Sequence, residues 1–236
     1  MCQREIYLNS RRSISHMLHD SSPHVNLWKK HLGYIPASIW ENLEMETLVL
    51  AENDLTEIPP RIADLKHLRM LDLGHNALTQ LPEELGELTR LRDFLYLHDN
   101  RLASLPTSLN RLKALRYLNI SANTFQDFPA AVCGMESLIE LRATDNQLTN
   151  LPGCVANLTR LRELHLRNNQ LGTLPESIRA LSQLRQVDLR GNPLTFLPPA
   201  LADLPSLEKL DLRWVSTLKF LRWIDDLEAR GCAVYR

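Results

Sequence analysis

The chain has 236 residues, 44% of them hydrophobic, and 27 Lys and Arg against 28 Asp and Glu leave a formal net charge of −1. That length suits one large domain or two small ones. A balance so near zero excludes broad nucleic-acid binding, which needs a basic stripe to displace counterions.

In chain order, residues 1–22 carry no internal register and are expected to cap the N-terminal end of the core or to form a partly disordered leader. This segment lacks the apolar core of a secretory signal, and no stretch of the chain approaches the length of a membrane span, so no membrane insertion is expected.

Residues 23–214 keep a fixed beat. A leucine-rich phrase ends in Asn at positions 53, 76, 100, 123, 146, 169 and 192, each 23 residues after the last except Asn100, which follows Asn76 by 24. Lys30 and Val215 fill the same slot at the two ends. A Leu-Pro or Ile-Pro pair, replaced by Phe-Pro at Pro129, keeps the same period from Pro36 to Pro198. An uninterrupted beat of this kind argues for a single elongated body of eight repeats plus a ninth strand, because each repeat buries its apolar face only against its neighbours.

Within one repeat, Leu164 and Leu166 alternate with polar residues, the period-two sign of a strand with one buried face. Leu161, Leu171, Leu174, Ile178 and Leu181 complete its share of the core. Asn169 follows where the chain must turn. A buried Asn has to set its amide against backbone partners. The turns of the next coil offer them, so Asn53, Asn76, Asn100, Asn123, Asn146, Asn169 and Asn192 should form a structural ladder. Pro175 suits the first position of a short helical turn, where its missing N–H would be unpaired anyway. Strands pack about 4.8 Å apart while the returns are bulkier, so the stack must curve with its strands inside.

Residues 215–236 depart from the beat. Leu218, Leu221, Ile224 and Leu227 fall on one helical stripe, with Gly231 as its stop, which predicts a capping helix and tail. A helix that docks a partner or lies on a membrane surface is the alternative.

The pattern L-x-x-L-x-L-x-x-N with Leu-Pro-x-x-Ile/Leu-x-x-Leu, running over residues 25–214, resembles the 23-residue intracellular class of leucine-rich repeats. That class includes Ras-suppressor-like and scribble-like animal proteins, plant Ras-group-related proteins and many small bacterial ones. The ending, Asp211-Leu-Arg-Trp with residues 227–236, looks most like short bacterial leucine-rich-repeat proteins. The resemblance implies an α/β leucine-rich-repeat solenoid, a curved horseshoe with a parallel β-sheet on its concave face and short helical or irregular returns on its convex face. It also implies a cytoplasmic, monomeric, non-enzymatic scaffold or adaptor that binds a protein partner through the concave face. A regulator of a kinase or small GTPase in signalling and a secreted bacterial effector are the other roles it suggests.

Counting back from each slot sorts the outward residues of the concave face into three zones. Toward the C-terminus, Arg167, Arg190 and Arg213 stack on successive strands, with Arg142, His165 and Asp188 beside them. Like charges opposite one another destabilise a sheet. Either Asp188, Asp211, Glu140 and Glu163 neutralise the row as a solvated grid, or the arginines form a docking patch. In the middle stand Phe94, Tyr96, His98 and Tyr117, with Asn119 alongside. Exposed aromatics are efficient anchors, so this zone is the expected centre of binding. The 24-residue step falls here, with Asp93 or Phe94 as the extra residue. It is either slack taken up where the strand begins or a bulge that re-aims Phe94 and Tyr96. The N-terminal zone, with Val49, Ala51 and Gly74, is small and apolar and reads as filler or as a shallow floor.

No enzyme, cofactor or metal is expected. No Ser or Cys comes with a recognisable base, and the 8 glycines form no phosphate-binding loop. Asp72, His75, His98 and Asp99 could be drawn together as ligands, but a lateral His75–Asp99 ion pair is the simpler reading. Cys133 and Cys154 fall near corresponding convex positions of adjacent repeats and could approach. Without clustered cysteines in the caps, reduced thiols in an intracellular protein are expected instead. The sequons at Asn119 and Asn157 then read as chance matches.

Overall fold

The computed structural model describes residues 22–219 and 221–236. The expected N-terminal cap over residues 1–22 lies, Ser22 apart, outside the described residues. Ten three-residue strands form one open parallel sheet in chain order. They are β1 (His24–Asn26), β2 (Thr47–Val49), β3 (Met70–Asp72), β4 (Phe94–Tyr96) and β5 (Tyr117–Asn119). The series continues with β6 (Glu140–Arg142), β7 (Glu163–His165), β8 (Gln186–Asp188), β9 (Lys209–Asp211) and β10 (Ala233–Tyr235). In β1 to β9 the middle residue is buried, so the first and third residues stand on the outward face. In β9 the third residue, Asp211, is itself buried beneath its ion pairs.

The core is a set of leucine rows parallel to the stack. Leu48, Leu71, Leu95, Leu118, Leu141 and Leu164 are fully buried in the strands, and Ile62, Leu85, Leu109, Val132, Val155 and Ile178 face them from the returns. Phe125 takes a row position that is leucine in neighbouring repeats and is also fully buried.

Each return is a 3₁₀ turn, such as Glu83–Glu87 or Glu176–Ala180. The repeating prolines sit one position before these turns, extended, and their carbonyls accept the first bond, as in Leu85 N–H to Pro82 O at 3.1 Å. Proline therefore ends the extended segment rather than opening the helical one, a shift of one residue from the sequence expectation.

The asparagine ladder forms, and it points backward. Asn123 donates to Leu97 O of the preceding coil at 3.0 Å and accepts the Leu102 N–H at 2.9 Å. Asn53, Asn76, Asn100, Asn146, Asn169 and Asn192 repeat this, each tied to the coil before it rather than the one after. The residue ahead of each slot is left-handed, from Lys29 (φ 54°) to Trp214 (φ 63°). Both lobes of the asparagine amide are thereby aimed at the neighbouring backbone.

At the C-terminus the stripe is divided. The helix α1 spans Trp223–Ala229 and buries Ile224 and Leu227. Leu218 and Leu221 pack on the core from the segment ahead of it. Gly231, at φ 89°, follows the helix end. The chain then adds β10, which pairs Val234 with Leu210 in parallel register. This strand was not expected, because Ala233-Val234-Tyr235 carries neither the leucine phrase nor the asparagine.

The expectation of reduced thiols is corrected. Cys133 and Cys154 are joined as a disulfide across adjacent returns, their Cα atoms 5.7 Å apart. The offset of 21 residues brings them together because both lie in the 3₁₀ turns that stack on the convex side. Cys232 is a buried free thiol, pushed above its ordinary pKa by that burial.

Candidate protein-binding surface

The outward residues of β4 and β5 meet as an aromatic cluster. Phe94 and Tyr96 stack with centroids 5.8 Å apart, and Tyr117 lies 5.4 Å from Phe94 and 5.1 Å from Tyr96. Phe94 is 41% exposed, and the two tyrosines are half-buried. The shared register, Phe94 opposite Met70 and Tyr117, Tyr96 opposite Asp72 and Asn119, places all three on one patch. Burial raises the pKa of both tyrosines, that of Tyr117 to about 12, so they meet a partner as neutral phenols.

The register also resolves the 24-residue step. Arg92 and Asp93 both donate to Arg69 O, at 3.2 and 2.9 Å, and Phe94 then pairs with Met70. Asp93 is the extra residue, and its carboxylate meets Arg69 at 3.0 Å. The slack is absorbed before the strand, and neither Phe94 nor Tyr96 is re-aimed.

His98 extends the cluster, its ring 5.9 Å from Tyr96 and edge-on to His75 at 4.7 Å. It lies across Gly74. A Cβ there would stand 2.5 Å from His98 Cε1, so only glycine leaves the shelf open. The Nδ1 of His98 is buried without a hydrogen-bond partner among the described residues. Burial, and then the neighbouring His75, lowers the pKa of His98 and favours the neutral ring. Asp72 accepts the Gly74 N–H at 2.9 Å and is raised in pKa by its burial. His75 pairs with Asp99, as the lateral ion pair required. The sequence reading took Gly74 as filler or a shallow floor and missed its role beneath His98. Its signal was the lone glycine in a column that places larger residues on most strands.

The C-terminal arginines are neutralised. Arg190 grips Asp188 with two bonds of 2.8 and 2.6 Å, and Arg213 grips Asp211 at 3.0 and 2.8 Å. Asp211 also faces Arg190 at 3.6 Å, and Arg167 reaches Asp145 at 3.0 Å. The solvated grid is thus the arrangement observed, and its arginines also lie beside rings. Trp214, 70% exposed, lies 5.7 Å from Arg190 and 5.9 Å from Arg213, whose guanidinium is 5.4 Å from Tyr235. The sequence reading omitted both rings, one in the turn and the other on the unforeseen β10.

Between the two zones, Glu140, Glu163 and His165 bring three ligand atoms within 4.8 Å of one another. These are donors a cation could use. Arg142 already bonds Glu140 at 2.5 Å and His165 bonds Glu163 at 3.1 Å, so the same charges are met internally. Asn119, also on this face, turns its amide oxygen to the Ser121 N–H at 3.0 Å.

A leucine-rich-repeat profile matches residues 44–102, 144–194 and 159–214, and a second, a leucine-rich repeat region, matches residues 83–168. The chain belongs to the leucine-rich-repeat family. No curated protein matches this leucine-rich-repeat chain significantly. Among solved structures it is similar to a leucine-rich-repeat protein of Leptospira interrogans, with 25% identity and a TM-score of 0.70 over 91% of this chain and 67% of that one. It is also similar to the ectodomain of the Arabidopsis thaliana membrane receptor kinase GASSHO1/SCHENGEN3, solved with CASPARIAN STRIP INTEGRITY FACTOR 2, at 27% identity and a TM-score of 0.65 over 85% of this chain and 28% of that one. A TDR receptor aligns at 26% identity with a TM-score of 0.69 over 84% of this chain and 35% of that one. The chain thus spans about a third of the length of these receptors. Its fold is one typically used as a protein–protein interaction module. No helix among the described residues is long and apolar enough to cross a membrane.

Proposed function

We propose that this leucine-rich-repeat protein is a non-enzymatic adaptor of the 23-residue class that captures a protein partner on its strand-lined face, with Phe94, Tyr96 and Tyr117 at the centre of the contact. The observation that carries the reading is the aromatic patch itself. Three rings in mutual contact sit on consecutive strands of a rigid sheet, and large rings with few rotamers give up much exposed area at little entropic cost. Arg142 and the Arg190–Asp188 and Arg213–Asp211 pairs form the polar rim of that contact. The structural neighbour solved in complex with CASPARIAN STRIP INTEGRITY FACTOR 2 supports recognition as a use of this fold.

In this reading the protein is monomeric and cytoplasmic, and it acts either as a passive scaffold or on a bound kinase or small GTPase. Exchanging both Tyr96 and Tyr117 for Ala abolishes partner capture in affinity purification, while circular dichroism shows the fold retained. Undiminished capture removes the aromatic zone from the site. A change in the catalytic rate of a purified partner on adding the protein separates the regulator from the scaffold.

The disulfide favours a second reading, a secreted bacterial protein, because such bonds persist in oxidising surroundings. Fractionation of the source cells with alkylation of free thiols decides between the two. A cytoplasmic pool with Cys133 and Cys154 both alkylated supports the adaptor inside the cell, and an oxidised pool outside it supports export.

A further inference from the structure

The rim where the strands begin carries a second row of side chains, outside the aromatic patch and the charge grid. The residue leading into each strand hydrogen-bonds to its counterpart in the preceding repeat. Arg69 N–H binds Glu46 O at 2.8 Å, Arg92 binds Arg69 at 3.2 Å and Arg116 binds Arg92 at 3.0 Å. Ile139, Arg162, Arg185 and Glu208 each continue the series at 2.8 Å. Five arginines therefore stand in one backbone-linked row.

The ends of that row are neutralised. Arg69 meets Glu46 and Asp93, each at 3.0 Å, and Arg185 meets Glu208 at 3.2 Å. The middle is not. Arg92, Arg116 and Arg162, with Arg160 from the preceding turn, line a groove of about 450 Å³ whose remaining walls carry no charge. All four are exposed, and none has an ion pair or side-chain hydrogen bond with a described residue. Like charges gathered side by side cost stability without a counter-charge, and elsewhere on this sheet the arginines have one. Arg116 and Ile139 also line the smaller hollow formed with Phe94, Tyr117, Glu140 and the Arg69-paired Asp93, so the groove opens onto the aromatic patch.

We propose that this groove binds an extended acidic segment of the partner protein, its carboxylates on Arg92, Arg116, Arg160 and Arg162 and its continuation over Phe94 and Tyr117. The proposal rests on the reading of the strand-lined face as a protein-binding surface and names the partner's chemistry. Guanidinium groups match carboxylates with paired, directional bonds. Arg92 to Arg162 spans three strand intervals, roughly 14 Å, which is too spread for a single phosphate. An extended peptide sets alternate side chains about 7 Å apart, so about five residues lay three carboxylates along the row. The basic stretch ends within those three intervals, shorter than the stripe that tracks a nucleic-acid backbone.

The test uses the full chain and a fluorescein-labelled peptide of alternating Glu and Ser, with a Gln-Ser peptide and a single-stranded oligonucleotide of equal length alongside. The Glu peptide binds in fluorescence anisotropy, the Gln peptide does not, and binding weakens steeply as salt rises from about 0.05 to 0.5 M. Arg116→Gln with Arg162→Gln lowers the affinity about tenfold. Arg185→Gln, which removes the same kind of charge from a residue already paired with Glu208, leaves it within about twofold. Thermal melts of the exposed arginine variants match the parent or rise slightly as like-charge repulsion is relieved. Unchanged binding in the double variant, an equal loss in Arg185→Gln, or tighter binding of the oligonucleotide each overturns the proposal. The peptide carries no aromatic residue, so its binding is independent of the Tyr96 and Tyr117 capture test, and either can fail alone.

Discussion

Replacing Asn123 with Ala removes one rung of the ladder from the middle of the stack. Asn123 is 8% exposed and makes four bonds, donating to Leu97, Ile120 and Ser121 carbonyls at 3.0, 3.1 and 3.1 Å and accepting from Leu102 N–H at 2.9 Å. The three carbonyls each retain another donor, from Asn100, Asn146 and the Asp99 backbone respectively. The Leu102 N–H has no substitute. Orphaning it costs about 1–3 kcal/mol, and the lost donations add a few tenths each, for a total of about 3 kcal/mol. A solenoid is held by its nearest-neighbour interfaces, so weakening an interior one also loosens the coupling of the two halves. Guanidinium unfolding followed by circular dichroism should show a lower midpoint and a shallower slope. The control is Asn119→Ala on the outward face, where the half-buried amide holds the Ser121 N–H and meets the Tyr117 phenol, and the cost stays below about 1 kcal/mol. Equal stability losses for the two variants would refute the ladder as the element that joins the repeats.

Gly74→Ala drives its new methyl into the His98 ring and costs about 1–3 kcal/mol. It also lifts the imidazole toward solvent, so an NMR titration should find the His98 pKa higher than in the parent. In the parent that pKa is depressed, and the associated stability is present above the unfolded value and is lost as pH falls through the folded one. Tyr117 has the opposite sign, since burial favours its neutral phenol. The stability this confers is complete below pH 10 and is lost as pH rises toward about 12, and absorbance at 295 nm should show this tyrosine ionising last. Reducing the Cys133–Cys154 bond reopens a loop of 21 residues' separation and should lower unfolding stability by about 3 kcal/mol, measured with and without reductant.

The leucine rows and the asparagine slots were legible because each is written many times at one spacing, and a buried side chain in a stacked repeat has one permitted chemistry. The left-handed position ahead of each slot was not. Lys29, Glu52, Ala122 and Trp214 share it with Asp145, Asn168 and Gly191, so the ladder imposes that backbone on residues that disfavour it as well as on those that accept it. The aromatic patch could be read from column counting, since register followed period. His98's dependence on Gly74 needed the actual ring position. β10 escaped because an edge strand that merely completes a sheet needs no repeat signature, only alternation and a partner. The approach of Cys133 and Cys154 was legible in their matching convex positions, but their oxidation was not, because no clustered cysteines in the caps signalled it.

Asp93 shows how this architecture treats a length error. One supernumerary residue enters the third interval, is parked against Arg69, and is forgotten by the next strand, so the six strands that follow β4 stay in phase with the three that precede it. Tolerance is thereby confined to the junctions. Insertions there are local events, whereas one inside a three-residue strand would turn a leucine outward and an arginine or tyrosine inward. A lineage carrying this fold can therefore vary the lengths of its joints, and with them the outline of the rim, without retuning any leucine row.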